Sequence, residues 1–507
     1  MRAEFISDPL PAPPAAFNMA AYVLAHAERL SDKMAMQIVR PTGAERWSYG
    51  RLLAAVRGAG TGFLRAGLEP GDRVLLRLGN TPEFPVAFLG AIAAGLLPVP
   101  TSSQLTAGEI TKMAAQITPR AVVAGDGIAL PEGDALIIPE TELRGFEALP
   151  PCDYAMGDPN RPAYLIYTSG TSGSPRAVIH AHRAVWARQM MHHGWYGLSE
   201  ADRLLHAGAF NWTYTLGTGL MDPWSVGASA LIPGAGVTPE QLPLLLRRFD
   251  ATIFAAAPGI YRQILRQHTR LELPKLRHGL TAGEAMPEPV RAGWNAATGT
   301  RVYEALGMSE CSTFISGAPD HPAPAGSSGY PQTGRRIAVL SPEGAIVARG
   351  APGTLAVHRS DPGLFLGYWN APEETAARFQ GDWFVTGDTV SMAEDGAIYY
   401  LGRDDDMMNA GGFRVSPIEV ESAMAQCADA GEVAAIELRV KADASVIALA
   451  HTGPATPEAL AAHAAAHLAR YKQPRLFAHV AAIPRNPNGK LNRRALRESW
   501  PGHGGPT

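Results

Sequence analysis

The sequence predicts an α/β protein: a large N-terminal domain of layered α/β subdomains with a β-rich end, followed by a small, mobile α+β C-terminal domain. The chain has 507 residues, which is more than one hydrophobic core normally serves. Short apolar, strand-like runs alternate with helical patterns up to about residue 320. This alternation is typical of parallel strands covered by helices. Beyond that point the pattern changes to short strands with turns.

The N-terminal alternation begins within residues 17–150. Residues 51–67 carry apolar side chains at helical spacing and end at a glycine. The runs at 72–78 and 121–125 are mainly apolar and short, which predicts buried strands. Residues 84–100 are the most apolar stretch, but prolines interrupt them and they are too short for a membrane span. We therefore expect a buried helix that runs into a strand there.

The end of the chain has a different organisation. Residues 336–401 consist of short strand patterns separated by turns, and they complete an N-terminal domain of residues 1–402. The remaining residues, 403–507, are predicted to form the C-terminal domain. Its first helix has a strong start signal, because Ser416 can cap it, a proline follows, and Glu419 completes a capping box.

Composition excludes several classes of function. A net charge of −3 gives no general attraction to nucleic acid or to an anionic membrane, so neither is an expected partner. Cys152, Cys311 and Cys427 have no paired spacing, which argues against a disulfide framework or a zinc site. The N-terminal stretch lacks the apolar segment of a signal peptide. We therefore expect a cytoplasmic protein. Its assembly state stays open, and a homodimer is compatible with it.

The most informative segment is YLIYTSGTSGSPRAV, residues 164–178. A strand-like run leads into hydroxyl residues and glycines, followed by Pro175 and Arg176. Such a loop can present backbone N–H groups and hydroxyls to an anion, and its glycines permit close approach. The spacing is not that of a Walker A loop. An ordinary flexible surface loop is the competing interpretation, but the order of residues after a buried strand favours an anion site.

Six segments in this order resemble motifs of the adenylate-forming superfamily, which includes acyl-CoA synthetases, adenylation domains and firefly luciferase. They span residues 164–493. Besides the loop, they are AGEA (282–285), YEALGMSE (303–310), GDWFVTGD (381–388), YLGRDDDMMNAGGFRVSPIEVE (400–421) and PRNPNGKLNR (484–493). The resemblance implies ATP and CoA as substrates and Mg²⁺ as cofactor.

The resemblance also assigns residues to roles. The residues expected to bind the phosphates are Thr168, Ser169, Gly170, Thr171, Ser172, Gly173 and Arg176. Those expected around the adenosine are Gly283, Glu284, Ala285, Glu304, Ala305 and Leu306, with Asp388 and Arg403 at the ribose. Lys490, Glu310 and Ser309 are the expected catalytic residues.

These roles agree with the chemistry that the resemblance implies. A carboxylate must attack the α-phosphate of ATP, so two anions have to be brought together. The ammonium of Lys490 would neutralise the charge that develops there. Glu310 would hold Mg²⁺, a hard cation that takes carboxylate and phosphate oxygens, and Ser309 would touch the α-phosphate. A solvated surface lysine is the competing interpretation of Lys490 alone.

One pocket would then have to serve two reactions, formation of acyl-AMP and attack by the CoA thiol. Asp405 matches the family's hinge, about which the C-terminal domain would rotate between the two steps. This rotation would exchange Lys490 for Gly411 and Gly412 beside the pantetheine channel. Glycines there would let the backbone pass close to a thin ligand.

The acid pocket is expected around FNWTYTLGTGL (210–220), which resembles the corresponding segment of benzoate-type CoA ligases. Its predicted members are Phe210, Trp212 and Tyr214, with Gly307. Apolar and aromatic walls suit a small acid whose body is hydrophobic, and the bulk of Trp212 favours a short aliphatic acid over an aromatic ring. Plain core packing is the competing interpretation of the aromatic residues.

The predicted function is therefore an AMP-forming acid–CoA ligase for a small aryl or short-chain carboxylic acid. An adenylation enzyme that loads a carrier protein in trans is the alternative. A binding protein without catalysis is a third interpretation, supported only by Arg176. The family usually has Lys-Gly where this chain has Arg176 and Ala177. Arginine keeps the charge but offers a planar fork in place of a point charge.

Overall fold

The computed structural model describes residues 1–168, 175–403, 406–410, 413–441, 444–485 and 491–501. By its internal contacts the chain forms two compact units. The larger unit comprises Phe5–Arg336 and Val357–Phe384. The smaller unit comprises Met1–Glu4, Ile337–Ala356 and Val385–Thr507. The predicted domain boundary between residues 402 and 403 stays a prediction.

The secondary structure alternates between strands and helices along much of the chain. The strands are β1 (Glu4–Ile6), β2 (Met34–Arg40), β3 (Gly43–Ser48), β4 (Arg73–Arg77), β5 (Leu97–Pro100), β6 (Ala121–Ala124), β7 (Leu136–Pro139), β8 (Pro162–Thr168), β9 (Arg176–Ala181), β10 (Arg203–His206), β11 (Ser229–Pro233), β12 (Ile253–Ala255), β13 (His278–Ala282), β14 (Arg301–Met308), β15 (Ser312–Ser316), β16 (Tyr330–Pro331), β17 (Arg336–Leu340), β18 (Pro352–His358), β19 (Gly367–Tyr368), β20 (Phe379–Gln380), β21 (Trp383–Met392), β22 (Ile398–Arg403), β23 (Met408–Ala410), β24 (Phe413–Val415), β25 (Val433–Lys441), β26 (Ala444–His451) and β27 (Leu476–His479). The α-helices are α1 (Met19–Val23), α2 (Tyr49–Arg65), α3 (Glu83–Ala93), α4 (Ala107–Ile117), α5 (Glu140–Gly145), α6 (Arg183–Ala187), α7 (Gln189–Met191), α8 (Thr213–Leu216), α9 (Asp222–Ser225), α10 (Leu242–Arg248), α11 (Pro258–Gln267), α12 (Glu288–Thr298), α13 (Pro372–Ala376), α14 (Pro417–Met424), α15 (Pro457–His467) and α16 (Arg493–Glu498). Two π-helical segments, His192–Tyr196 and Gly217–Met221, interrupt the helical regions of the larger unit.

The larger unit is organised around a nine-stranded sheet in the order β16-β15-β14-β13-β12-β10-β11-β2-β3. The six strands from β14 to β2 are parallel, while β3 and β15 run antiparallel to their neighbours. Strands buried on both faces favour continuously apolar sequence. Parallel strands place their carboxyl ends at one edge, which is where ligands bind in open α/β sheets.

Two smaller sheets complete the larger unit. Strands β5-β4-β6-β7 form a parallel sheet, and β19-β9-β8 form an antiparallel one. Helix α3 is buried along its whole length, as its apolar sequence predicts. Its apolar residues join those of α2 and β4 in the largest hydrophobic core. This arrangement confirms the layered α/β prediction.

The smaller unit contains most of the β-rich segment, in which β17, β18 and β21 are neighbours in one sheet and β22 pairs antiparallel with β21. Its C-terminal part is α+β, with β25-β26-β27 as a mixed sheet beside α14, α15 and α16. Ser416 caps α14, because its hydroxyl accepts a hydrogen bond of 3.2 Å from the backbone N–H of Glu419. The Glu419 carboxylate pairs with Lys472. Among the described residues, no helix has the length and apolar character needed to cross a membrane.

Candidate active site

The predicted phosphate loop connects two adjacent strands of the larger unit. Strands β8 and β9 form a hairpin in which Thr168 and Arg176 are directly paired. The predicted residues Ser169, Gly170, Thr171, Ser172 and Gly173 lie between them, outside the described residues. The hairpin therefore places the hydroxyl of Thr168 and the cation of Arg176 at the two ends of the same loop.

Arg176 has two partners in the larger unit. Its Nε lies 2.7 Å from Oε2 of Glu374, and its guanidinium lies 5.4 Å from the ring centroid of Tyr368. About a quarter of the Arg176 side chain is exposed, and about half of the Glu374 side chain, at 26% and 52%. Solvent therefore weakens this ion pair, and a phosphate could displace the carboxylate at small cost.

Glu310 lies on the other side of Tyr368. The hydroxyl of Tyr368 donates a hydrogen bond of 2.8 Å to Oε1 of Glu310. Burial and the adjacent carboxylate raise the pKa of Tyr368, so its hydroxyl keeps its proton and remains a donor. The other carboxylate oxygen, Oε2, accepts no hydrogen bond from the described residues. Arg176, Tyr368 and Glu310 thus form one continuous series of contacts between the predicted phosphate loop and the predicted metal ligand.

Ser309, the residue expected at the α-phosphate, is held through its backbone. The Nε2 of His180 donates a hydrogen bond of 2.7 Å to the carbonyl oxygen of Ser309. Burial lowers the pKa of His180 to about 4, so the imidazole is neutral. Its Nδ1 is buried and has no hydrogen-bond partner among the described residues. His180 stacks on Tyr164, with ring centroids 4.9 Å apart.

Two of the predicted acid-pocket residues lie together beyond the carboxyl ends of the central strands. The rings of Trp212 and Tyr214 make an edge-to-face contact at 5.2 Å. They belong to a core cluster that includes Ala282 and Ala305. Gly283 has a φ of +94°, and a Cβ there would lie 2.5 Å from the Trp212 ring. Glycine is therefore favoured at this position both by the positive φ and by the contact with the indole.

Phe210 lies elsewhere. It is buried in the largest core, where its ring packs against Phe84 with centroids 5.3 Å apart. Trp212 and Tyr214 are not part of that core cluster. Of the three aromatic residues predicted for the acid pocket, the structure thus brings two together and places the third in core packing.

The predicted adenine-binding segments lie at neighbouring strand ends. Gly283, Glu284 and Ala285 form the bend after β13, and β14 continues through Glu304, Ala305, Leu306 and Gly307. The Glu304 carboxylate is occupied, because its Oε2 accepts hydrogen bonds from Arg291 (2.7 Å) and from the backbone of Met286 (3.1 Å). A Cβ at Gly307 would overlap the backbone of Ser312, so glycine there allows the close approach of β15. The pairing register of β14 and β15 also shifts at this position.

The two predicted ribose ligands lie side by side in the smaller unit. Asp388 on β21 and Arg403 on β22 are cross-strand partners. Nη1 of Arg403 lies 3.1 Å from Oδ1 of Asp388, and the hydroxyl of Tyr400 lies 3.5 Å from the same oxygen. Asp388 is buried, at 6% exposure, and its Oδ1 lies beside both of these groups.

Several predicted residues lie outside the described part of the chain: Asp405, Gly411, Gly412 and Lys490, in addition to the loop residues. Asp406, next to the predicted hinge residue, is described. Its carboxylate lies 3.6 Å from Arg493 and 3.8 Å from Arg497, both on α16 of the smaller unit. Nη2 of Arg493 also donates to both carboxylate oxygens of Glu421, at 2.7 and 2.8 Å.

Sequence reasoning missed Tyr368 and Glu374. Tyr368 is 58 residues from Glu310 along the chain, so no local spacing could connect them. It also missed the buried pair of Arg188 and Asp222, whose carboxylate accepts hydrogen bonds of 2.7 and 2.5 Å from the guanidinium. The only sequence signal was the presence of charged residues within otherwise apolar segments.

Comparison with known proteins agrees with this geometry. A family profile described as AMP-binding enzyme matches residues 23–369. Benzoate–CoA ligase from Thauera aromatica is 30% identical over 497 residues, which cover 90% of this chain and 91% of that protein. A benzoate CoA ligase structure from Burkholderia xenovorans LB400 has a TM-score of 0.82 at 27% identity, and it covers 95% of this chain and 100% of that chain. The anthranilate CoA ligase AuaEII in complex with anthranoyl-AMP has a TM-score of 0.83 at 25% identity, with coverages of 96% and 98%.

These similarities confirm the predicted AMP-forming acid–CoA ligase activity, and they do not favour a carrier protein as the acceptor. The predicted fold is confirmed by the same comparisons. Sequence and structure together show that the chain belongs to the AMP-binding enzyme family.

Proposed function

We propose that this chain activates a small aryl or short-chain carboxylic acid with ATP and Mg²⁺, and then transfers the acyl group to CoA. The observation that carries the proposal is the series of contacts Arg176–Tyr368–Glu310. It links a cation at the end of the phosphate loop to a buried carboxylate through one tyrosine. The cation can bind a polyphosphate, and the carboxylate can bind the metal ion that accompanies the polyphosphate.

Glu310 fits the requirements of a magnesium ligand. Mg²⁺ takes oxygen ligands and is usually held by one or two carboxylates together with substrate phosphates. Glu310 offers Oε2, which accepts no hydrogen bond from the described residues, while Tyr368 fixes the other oxygen. The described residues hold no cluster of three or more His, Cys, Asp or Glu side chains that could bind a metal alone. The ion would therefore depend on phosphate oxygens, whose charge it would neutralise.

The remaining residues would bind and orient the reactants. The loop from Thr168 to Arg176 would hold the β- and γ-phosphates, and Asp388 with Arg403 would accept and donate hydrogen bonds at the ribose. The acid carboxylate attacks the α-phosphorus, the bond to the bridging oxygen breaks, and pyrophosphate leaves. Lys490 would stabilise the charge in this step. The CoA thiolate then attacks the acyl carbon, and AMP leaves with the electron pair of the mixed anhydride.

The class of acid is suggested by the walls of the expected pocket. Trp212 and Tyr214 provide aromatic surface, and the relatives named above act on benzoate or anthranilate. An aryl acid would stack on such walls, and a short aliphatic acid would fit the space that the indole leaves. We further propose a reduced, cytoplasmic environment, because Cys152, Cys311 and Cys427 are all free thiols.

The proposal is tested by a screen of carboxylic acids for AMP release that depends on both ATP and CoA. We expect at least one small aryl or short-chain acid to give stoichiometric AMP and acyl-CoA, with Mg²⁺ required. ATP–pyrophosphate exchange without CoA would report the first step separately. Exchange with an acid, followed by transfer only to a pantetheinylated carrier protein, would contradict the CoA assignment. Absence of exchange with every acid would contradict catalysis altogether.

A further inference from the structure

A buried polar network lies beside the predicted acid pocket in the larger unit. Arg188 is 6% exposed and Asp222 is 1% exposed, and the two form a bidentate ion pair. The Tyr196 hydroxyl donates a hydrogen bond of 2.7 Å to Oδ2 of Asp222 and lies 2.9 Å from the Thr218 hydroxyl. Buried charges of this kind are costly unless fully paired, so the pair behaves as one neutral, strongly polar group.

The chain adopts two unusual conformations next to this network. Gly217 begins a π-helical segment, and a Cβ there would overlap the guanidinium of Arg188. Ser312 has a φ of +62°, in the left-handed region that a serine rarely enters. Its hydroxyl accepts a hydrogen bond from Nη1 of Arg188. Backbone strain of this kind persists where the surroundings enforce it, often at ligand-binding sites.

The network has unused hydrogen-bonding capacity. Of the five N–H groups of Arg188, Asp222 takes two, and Tyr196 and Ser312 take one each. One N–H on Nη1 thus has no acceptor among the described residues. The buried Nδ1 of His180 has no partner there either. Groups of this kind are costly when left unpaired, so a ligand atom or a water molecule is needed to satisfy them.

The residues that carry these groups line one small cavity. Arg188, His180 and Ser312 share it with Ser309, Thr213 and Leu216. Its volume is about 10 Å³, close to the smallest that admits one water molecule. Thr213 lies between Trp212 and Tyr214 in the chain, and Ser309 is the residue expected at the α-phosphate. The cavity therefore adjoins both the predicted acid pocket and the predicted position of the reacting phosphate.

We propose that this cavity is a subsite for one uncharged hydrogen-bonding substituent, such as a hydroxyl, on the carboxylic acid substrate. The inference rests on the proposed function and narrows its substrate class. A hydroxyl oxygen replaces one water molecule and satisfies the same donors and acceptors. A second carboxylate is not expected there, because Asp222 already neutralises Arg188. The substrate class is thus a small hydroxy acid, in preference to the unsubstituted acid or a dicarboxylic acid.

The test compares acids that differ by one group, with the full-length chain, ATP, Mg²⁺ and CoA. Benzoate is compared with its three monohydroxy isomers, butanoate with 2- and 3-hydroxybutanoate, and malonate and succinate serve as dicarboxylic acids. We expect kcat/KM for at least one hydroxy acid to exceed that of its parent by about 10- to 100-fold. No such excess for any hydroxy acid, or a preference for a dicarboxylic acid, would overturn the inference.

Variants assign the preference to the cavity. Ser312→Ala should reduce the ratio of hydroxy acid to parent acid by about tenfold, and Thr213→Val, which removes a hydroxyl at constant shape, should reduce it as well. Ser316→Ala is the matched control, because Ser316 lies on the same strand as Ser312 but does not line the cavity. Its hydroxyl donates a hydrogen bond to the carbonyl of Gly194. If both cavity variants keep the ratio of the unmodified chain, the cavity is not the subsite. Failure of the proposed function is distinguishable, since no acid would then support AMP release.

Discussion

Tyr368 orients Glu310 through a hydrogen bond of 2.8 Å, and removal of its hydroxyl tests whether this matters for the metal. Tyr368→Phe keeps the ring beside Arg176 but leaves the carboxylate of Glu310 without its donor. We expect kcat/KM for ATP to fall about tenfold, because a hydrogen bond to a charged group contributes roughly 1.5–3 kcal/mol and part of it is replaced by water. We also expect the Mg²⁺ concentration for half-maximal rate to rise.

Tyr49→Phe is the control for this substitution. The Tyr49 hydroxyl is buried and donates a hydrogen bond of 2.5 Å to the carbonyl oxygen of Ala228. This contact lies away from the residues that contact Glu310. The control should lose stability by a similar amount, on the order of 1 kcal/mol, without a change in Mg²⁺ dependence. If both variants have the Mg²⁺ dependence of the unmodified chain, Tyr368 does not position the metal ligand.

Trp212 is predicted to limit the size of the acid. Its indole lies against Gly283 and at 5.2 Å from the Tyr214 ring, so its removal should open space at the end of β13. Trp212→Gly should shift the ranking of kcat/KM among acids toward longer or bulkier ones. The measurement is the same acid screen, accompanied by a melting curve. A folded variant with an unchanged acid profile would remove Trp212 from the pocket.

For individual residues, the sequence predicted which residue types the reaction needs, but not which residues contact them. Thr168 and Arg176 were predicted as parts of one loop, and the hairpin pairs them. The pairing of Arg176 with Glu374 depends on residues almost two hundred positions apart, which no local pattern encodes. The hydrogen bond between Arg188 and Ser312 likewise joins residues that are far apart in the sequence. Phe210 has the same apolar character as a pocket residue, so its place in the core could not be distinguished by sequence.

Among the structural elements, the π-helical segment Gly217–Met221 depends on its first residue. Gly217 packs directly on the guanidinium of Arg188, and an added methyl would overlap it. We expect Gly217→Ala to lower the free energy of unfolding by roughly 1–3 kcal/mol, as overpacking does in a well-filled interior. Gly259→Ala is the matched control, since Gly259 lies in helix α11 with no atom within 4 Å of a new Cβ. The control should be neutral or stabilising by up to about 1 kcal/mol. Urea denaturation measures both, and equal stability of the two variants would contradict the packing argument.

Buried histidines should make the sheets of the larger unit sensitive to acid. Burial lowers the pKa of His206 and His182 to about 3, and of His180 and His278 to about 4. Below a pH of about 6.5 the unfolded chain binds protons that the folded chain excludes. The free energy of unfolding should therefore be at its maximum above this pH and fall as the pH drops toward 4, by about 1.4 kcal/mol per pH unit for each histidine.

His206→Gln tests this directly. His206 is fully buried, and both of its ring nitrogens lack hydrogen-bond partners among the described residues. No described group would therefore stabilise the positive charge of a protonated His206 ring. The variant should show a shallower dependence of unfolding free energy on pH around pH 5, by about one proton or roughly 1.4 kcal/mol per pH unit. An unchanged slope would mean that His206 is protonated in the folded protein.

Helices and strands could be predicted where the whole element is buried. Irregular features that depend on contacts with other elements could not be predicted. Strands β4 and β6 and helix α3 were expected from continuous apolar runs, because elements buried on all sides leave that pattern. The end of α15 at His467 was not predictable from its alanine-rich sequence. The π-helical segments and the shifted register at Gly307 arise from contacts with other elements, which periodicity does not report.

For the molecule as a whole, the described residues fall into two compact units, and the predicted ribose and metal ligands belong to different ones. Asp388 and Arg403 lie in the smaller unit, and Glu310 lies in the larger. The sequence predicted two domains and the change of pattern that separates them. It could not predict that residues 337–356 pack with the C-terminal segment, because that grouping depends on contacts across the chain.

Lys490 is predicted to act in only one of the two half-reactions. The ammonium should act only while the acid carboxylate attacks the α-phosphate. Lys490→Ala should therefore slow the formation of acyl-AMP by roughly 10²–10⁴-fold, as loss of a major electrostatic stabiliser does. It should still convert supplied acyl-AMP and CoA to acyl-CoA at nearly the normal rate, because the C-terminal domain is expected to have rotated by then.

Gly412→Leu should show the reverse behaviour. A side chain at that position would obstruct the pantetheine arm of CoA but not ATP, so ATP–pyrophosphate exchange should persist while thioester formation fails. Single-turnover measurements of each step on both variants separate the outcomes, with circular dichroism to confirm folding. Because the two defects fall on opposite half-reactions, loss of overall stability cannot produce the pattern. If Lys490→Ala slows both steps equally, then either the lysine is structural or the domain does not rotate between the steps.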